Sequence, residues 1–412
     1  MTLALAGVSH HRTPVEERER VALDRTRAAE TARALAAEGA EAVCLSTCNR
    51  TEVYVVHADA ARAEALATGP LADGGVAGSA YRLRDDVAAL HLLRVAAGLD
   101  SLVPGEGEIL GQVRDAHELG APGPVLDRLF RQGLWVGRKV RAETGVGERP
   151  ASVAAAAATL AEQVLDDLCG KRVLLIGAGK TSDLAARNLT ALGAHVAVAN
   201  RTMSRAATVA ARVGADAAPL TRLRDELELA DVVVSSTAAP DAVVTRADVE
   251  AVRAKRNGRP LFLIDLAVPR DVEPSVREVP DCFVYDIDDL EDVAAPGLAG
   301  LRREMEAAES IVAAEAERFR AWLAARDVVP AIASLRARAE DIRAAELAKL
   351  DGVLARLPDR DRRALQATTA QIVNKLLHLP TVRMKQAAVT ADGVLYAAAV
   401  RHLFGLADDE RA

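Results

Sequence analysis

Apolar residues recur along this chain in two rhythms, and the changes of rhythm divide it into three stretches. Up to about residue 150, short apolar runs at 3–7, 42–45 and 53–57 read as strands with helical segments between them. Residues 24–38, rich in Ala, Arg and Glu, predict a helix that Gly39 stops. Residues 67–80 read as a Gly- and Pro-punctuated loop, and 85–97 and 109–117 as amphipathic helices. An α+β domain over 1–150 follows.

From 151 to 290 strands alternate with helices. A buried strand at 171–176 runs into a glycine turn and a helix at 183–191, a second strand at 194–200 into a helix at 204–213, and further apolar strands fall at 231–235 and 261–265. That alternation predicts a parallel, doubly wound sheet of Rossmann type. In the last stretch, 291–412, Leu298, Leu301, Met305, Ala308, Val312, Phe319 and Trp322 recur at helical spacing. They predict one long helix, starting near Asp288, that Pro330 ends. Helices at 332–357, 362–379 and 391–406 would follow, separated by Pro358 and Pro380. This tail carries no catalytic motif and suits a helix-bundle dimer interface. The expected class is therefore multidomain α/β.

Composition narrows the function classes. The 412 residues carry a net charge of −7, and the pI is near 5.7. This excludes a general nucleic-acid coat but not a local contact, for which Arg128, Arg131, Arg138, Lys139 and Arg141 form a basic helical stretch. Cys44, Cys48, Cys169 and Cys282 have neither metal-ligand nor disulfide-framework spacing. Reduced thiols and a cytoplasmic setting are expected, with no bound metal. No apolar stretch is long enough to cross a membrane, and the first residues make no signal peptide.

The glycine turn is Gly177, Ala178, Gly179, Lys180, Thr181 and Ser182, after a strand and opening a helix. That context suits a dinucleotide pyrophosphate on the helix N-terminus. The second strand ends in Asn200, Arg201 and Thr202. An acid for the ribose 2′-hydroxyl is missing, and Arg201 can pair with a 2′-phosphate, so NADPH is expected. The nucleophile candidate is Cys48, in Ser46-Thr47-Cys48-Asn49-Arg50-Thr51-Glu52, where Arg50 is expected to favour the thiolate. Cys44, in an apolar strand, reads as a small buried hydrophobe.

The Cys48 segment resembles the nucleophile segment of the glutamyl-tRNA reductases. Gly7-Val8-Ser9-His10 with Pro14 and Arg18-Glu19 is similar to the opening motif of that family. Gly98 to Ser101, Gly105-Glu106 and Ile109 to Val113 resemble its central motif. The resemblance is collinear over about residues 5–400 and extends to 235–240, 265–270, 286–290 and Pro380-Thr381. It implies NADPH-dependent reduction of glutamyl-tRNA(Glu) to glutamate-1-semialdehyde through a Cys48 thioester, the first committed step of tetrapyrrole synthesis. It implies Thr47, Asn49, Arg50, Ser101, Glu106, Gly107, Glu108 and Gln112 around the substrate, with Arg50 on the glutamate carboxylate. His91 matches a family histidine important for activity, in proton transfer or in orientation. A homodimer and hand-over of the aldehyde to an aminomutase are further implications. Pro104, Gly107 and Glu108 depart from the family pattern and leave a non-catalytic, tRNA- or partner-binding relative as the second reading. Because thiol and glycine turn fall in different domains, a hinge near 145–152 is expected to bring them together.

Overall fold

The fold-determining feature of the N-terminal part is a four-stranded antiparallel sheet, ordered β2-β3-β1-β4. The computed structural model describes residues 1–147, 152–290, 293, 302–387 and 393–406. It separates into two compact units, Met1–Glu315 and Ala316–Ala412. The sheet strands are β1 (Thr2–Ser9), β2 (Glu41–Ser46), β3 (Arg50–His57) and β4 (Tyr81–Arg84). One face buries Ala4, Ala6, Val8, Val53 and Val55 against the helices α2 (Arg25–Ala37) and α3 (Ala60–Asp73). These are alternate residues of β1 and β3, as the period-two rule requires. On the other face Tyr54 meets Phe130 edge-on at 5.4 Å. Ahead of α2 lies the short α1 (Val15–Arg18), and after β4 come α4 (Asp85–Ala97), α5 (Glu108–Leu119) and α6 (Pro124–Glu143).

The loop expected at 67–80 is largely helix, since α3 continues to Asp73 with Pro70 inside it. An interior proline costs about 3 kcal/mol. Against that, Ala63, Leu66, Ala67 and Leu71 are buried, and each buried leucine alone contributes about 1.5–3 kcal/mol. Asp59 secures the start by accepting from the Arg62 N–H. Only 74–80 is left as loop.

The second sheet is six-stranded, ordered β10-β9-β8-β5-β6-β7, and parallel throughout. Its strands are β5 (Arg172–Ile176), β6 (His195–Asn200), β7 (Asp216–Pro219), β8 (Val232–Ser235), β9 (Leu261–Asp265) and β10 (Cys282–Tyr285). The two edge strands, β7 and β10, are four residues each, too short to signal themselves by pattern. The flanking helices are α7 (Val153–Leu165), α8 (Lys180–Ala191), α9 (Met203–Val213), α10 (Leu223–Leu229) and α11 (Arg246–Arg253). Strand order reverses between β5 and β8, which is where ligands enter folds of this kind.

The remaining helices are α12 (Arg302–Ala348), α13 (Asp351–Leu354), α14 (Asp359–Ala387) and α15 (Gly393–Phe404). Leu298, Leu301, residues 148–151 of the expected hinge and Ala391 lie outside the described residues. Of the three expected proline breaks only that at Pro358, between α13 and α14, occurs; Pro330 is inside α12 and Pro380 inside α14. Val328, Ala331 and Ile332 form one buried cluster with Met384 and Ala397. Burial on both sides of Pro330 offsets the missing N–H.

Candidate active site

Cys48 sits at the tip of the β2–β3 hairpin. The Thr47 N–H donates to the Arg50 carbonyl at 2.8 Å and the Asn49 N–H to the Thr47 hydroxyl at 3.2 Å, closing a tight turn. The Asn49 carbonyl accepts from the His10 N–H at 2.9 Å, so the end of β1 braces it. Burial pushes the Cys48 thiol up to about 12, Glu106 adds to this, and Arg18 opposes it. The resting group is therefore a thiol.

The expected role of Arg50 as the cation favouring the thiolate needs correction. Its guanidinium is 1% exposed and turned to carboxylates, donating to Glu52 at 3.1 Å, to Asp100 Oδ2 at 2.7 Å and to the Asp100 carbonyl. Arg50 begins β3, while Cys48 lies in the turn before it. The cation that acts on Cys48 is Arg18.

Glu52 is the hub of this polar network. It is fully buried and accepts from the Tyr54 and Tyr81 hydroxyls at 2.5 Å each and from His91 Nε2 at 2.7 Å. Burial alone would raise its carboxyl, but His91 and Arg50 bring it down to about 2. Burial would raise Asp100 too, yet His11 and Arg50 hold it below the usual carboxylate range. Gly7 makes room for this hub: a Cβ there would come within 2.8 Å of the Glu52 side chain and 2.9 Å of Tyr81. His91 is thus joined to Arg50 through Glu52. Burial, followed by His11, Arg50 and Arg18, lowers His10 to about 3.

The central motif forms the loop between α4 and α5. Gly105 has φ +88°, and a Cβ would lie 2.1 Å from the Val146 carbonyl, so the position accepts only glycine. Arg141 pins the loop by donating to the Glu106 carbonyl at 2.7 Å and to Gly137 at 2.8 Å. In the basic stretch of α6, Arg141 is thereby committed to backbone carbonyls, and Arg131 and Lys139 face Asp127 and Glu315. Ser101 and Glu106 are buried. Burial and Glu108 raise Glu106 to about 7. Gln112 lines a cavity of about 190 Å³ whose Leu23, Asp24, Arg25 and Ser46 also line the Cys48 cleft.

The glycine turn closes onto the switch point. Gly177 has φ +112°, its N–H donates to the Ala199 carbonyl, and a Cβ would sit 2.4 Å from the Ser236 carbonyl. Open space surrounds Gly179, the N-cap of α8. The buried Ser182 hydroxyl has no partner. This is a cradle for a pyrophosphate, with helix N–H groups facing it. Thr181 donates to Glu108 at 3.3 Å, joining the turn to the central motif. Between them lies a cavity of about 890 Å³, lined by Glu106, Gly107 and Glu108 on one side and Ala178, Gly179, Lys180 and Arg205 on the other. The Asn200 side chain donates to the Thr202 carbonyl, which shapes the turn carrying exposed Arg201. Arg205 escaped the sequence reading. Its signal was a basic residue in the first turn after the second strand.

A second cleft, of about 940 Å³, has Thr47 and Cys48 on one wall and residues 237–242 and 268–270 on the other. Asp271 fixes that far wall, accepting from the Thr237 N–H at 2.7 Å and its hydroxyl at 2.5 Å. Buried Asp265, pushed up to about 7 by burial, accepts from Ser235 and from the N–H groups of Ala267 and Val272. Cys48 and Ala178 pack against the same apolar cluster. Among the described residues, no three His, Cys, Asp or Glu side chains gather to hold a metal, and no helix is long and apolar enough to cross a membrane.

Comparison with known proteins agrees along the whole length. Residues 6–144 match the glutamyl-tRNA(Glu) reductase N-terminal domain, 159–293 the shikimate/quinate 5-dehydrogenase family and 307–406 the glutamyl-tRNA(Glu) reductase dimerisation domain. Glutamyl-tRNA reductase of Myxococcus xanthus is 42% identical over 419 residues, covering 100% of this chain and 95% of that protein. That of Rubrobacter xylanophilus is 44% identical, covering 98% and 97%. The solved glutamyl-tRNA reductase from Methanopyrus kandleri matches with a TM-score of 0.51 at 33% identity, over 98% of this chain and 99% of that one.

Proposed function

Because this chain belongs to the glutamyl-tRNA reductase family, we infer that it reduces the glutamyl ester of charged tRNA(Glu) to glutamate-1-semialdehyde, the opening committed step of tetrapyrrole synthesis. The observation that carries the reading is the shared cleft of Cys48 and the loop after β8. A thiol on one wall and the carboxyl edge of a nucleotide-binding sheet on the other are what acyl reduction needs. The division is 1–150 for glutamate recognition, 151–290 for the nicotinamide cofactor and 291–412 for the spine and dimerisation.

In the proposed route the Cys48 sulfur attacks the ester carbonyl, the tRNA 3′-oxygen leaves with the thiol proton, and a glutamyl thioester remains. Bound NADPH supplies the hydride that reduces this thioester. Carbon–sulfur cleavage then releases the aldehyde and, with one proton taken up, restores the thiol. Thr47 and Asn49 hold the hairpin that aims the sulfur, and Ser101, Glu106, Gly107 and Glu108 bound the substrate side. A substrate carboxylate that reaches Arg50 would compete with Asp100 there. Gly177, Gly179 and Ser182 fit the pyrophosphate, while Arg201 and Arg205 suit a 2′-phosphate. A dimer is in keeping with the matched dimerisation domain, where Leu376 and Leu403 are 70% and 76% exposed. Work in the cytoplasm and passage of the reactive aldehyde to an aminomutase complete the scheme. The dehydrogenase match covers 159–293 alone, and matches to reductase domains flank it. The non-catalytic alternative finds no support in these comparisons.

Two measurements test this. Incubation with labelled glutamyl-tRNA and no cofactor is expected to leave label on the Cys48 peptide, releasable by hydroxylamine; label on another residue would sink the thioester. Arg205→Ser is expected to lower kcat/KM for NADPH about 10–100-fold, the loss of one charged hydrogen-bond partner, while NADH values stay within about twofold. Equal losses with both cofactors would show that Arg205 does not read the 2′-phosphate.

A further inference from the structure

Two helix starts meet where the central motif faces the glycine turn. Glu108 is the first residue of α5 and Thr181 the second of α8. The Thr181 hydroxyl donates to Glu108 Oε2 at 3.3 Å, while Glu108 Oε1, buried, has no partner. Carboxylate and turn border one cavity of about 890 Å³, with Glu108 on one wall and Ala178, Gly179 and Lys180 on the other. The first N–H groups of a helix have no acceptor within it, and they attract an anion. A carboxylate held at the second residue of α8 answers that demand while the turn carries no phosphate.

We propose that the Glu108 carboxylate stands in the anion position of the glycine turn and has to leave it before the cofactor pyrophosphate settles, so that this side chain sets the affinity for the cofactor. The proposal rests on residues 177–182 being the pyrophosphate cradle. The other acid in the first turn of α8, Asp183, is neutralised by Arg187 and Arg212 at 2.9 and 3.0 Å. Among the described residues the only hydrogen bond to the Glu108 side chain comes from a neutral hydroxyl. Glu106, two residues away, feels its charge and is harder to ionise for it. An incoming pyrophosphate meets that same charge, and like charges repel most where water is excluded. The adjoining cavity gives the Glu108 side chain room to turn aside.

The test is the Kd of NADPH for the full chain, measured by calorimetry in the parent and three variants. Glu108→Gln keeps an oxygen for Thr181 and removes the charge, and is expected to lower the Kd about 5–10-fold. Glu108→Ala should tighten binding too. Glu108→Asp keeps the charge on a shorter stem and should stay within about twofold of the parent. A glutamate that merely stapled the two segments, or that accepted a hydrogen bond from the cofactor, would give weaker binding once replaced by alanine. An unchanged or higher Kd in folded Glu108→Gln overturns the proposal, and so does an aspartate variant that binds as tightly as the glutamine one. Should Glu108→Gln fail to fold, Glu108→Ala decides by the same sign. A folded parent that binds no NADPH removes the cradle itself and the proposal with it, a result distinct from a cradle that binds cofactor but ignores Glu108.

Discussion

Cys48→Ser is expected to reduce semialdehyde formation from glutamyl-tRNA by more than about 10³-fold, as removal of a covalent nucleophile does elsewhere. Serine preserves the hairpin, because Cys48 contributes only its partly exposed side chain while the turn is held by Thr47, Asn49 and Arg50. What is lost is nucleophilicity and the leaving ability of sulfur, which the second half of the reaction needs. Cofactor binding should be unaffected, since Gly177 to Ser182 form their own cradle. The measurement is trapped aldehyde together with cofactor oxidation, with circular dichroism to confirm folding. Turnover within tenfold of the parent would show that the acyl group is reduced without resting on Cys48. A pH profile adds to the argument. The thiol is held near 12, so the thiolate fraction, and with it kcat/KM, should rise up to about tenfold per pH unit across the neutral range. The rise ends where another group takes over or the ester hydrolyses by itself.

How much of this could be read from sequence depended on whether a residue acts through its neighbours in the chain or through contacts from afar. The strand–turn–helix around Gly177 was legible because φ +112° and a tight approach to Ser236 leave room for glycine alone. The parallel sheet was legible because apolar runs and helical stretches alternate. Pro70, Pro330 and Pro380 misled, because a local rule about prolines competes with burial of leucines, isoleucine and methionine that only the folded chain supplies. At the active site, Cys48 was found by its segment, while the sign of its environment was not. Nearness in sequence suggested Arg50, yet two carboxylates, one of them fifty residues on, engage that guanidinium. Asp288 reaches Arg18 across 270 residues. Gln112, expected beside Glu106 and one turn past Glu108 on α5, lines the smaller cavity with Cys44 and Ser46.

Glu52→Ala is expected to cost about 3–5 kcal/mol of stability, the penalty for leaving one partner of a buried ion pair alone. Glu52 is fully buried and holds Arg50, Tyr54, Tyr81 and His91 at once, so its loss leaves a guanidinium at 1% exposure with Asp100 only and strands two phenolic hydroxyls. The sign of its pH dependence follows from the lowered carboxyl. Glu52 titrates near 2 in the fold against an ordinary 4.5. Its contribution is therefore complete above the ordinary value and is lost as pH falls from about 4.5 to about 2. A shift of that size corresponds to on the order of 3 kcal/mol, which agrees with the cost expected of the alanine variant. Glu52→Gln separates charge from shape: it retains one oxygen acceptor, for one of the two tyrosines, should cost less than alanine, and should flatten the acid limb of the stability curve. Urea unfolding followed by circular dichroism at neutral and acid pH measures both. A loss below about 1 kcal/mol for alanine at neutral pH would mean that Asp100 and water can satisfy Arg50 unaided. The network would then orient His91 and Arg50 for the substrate without holding the sheet together.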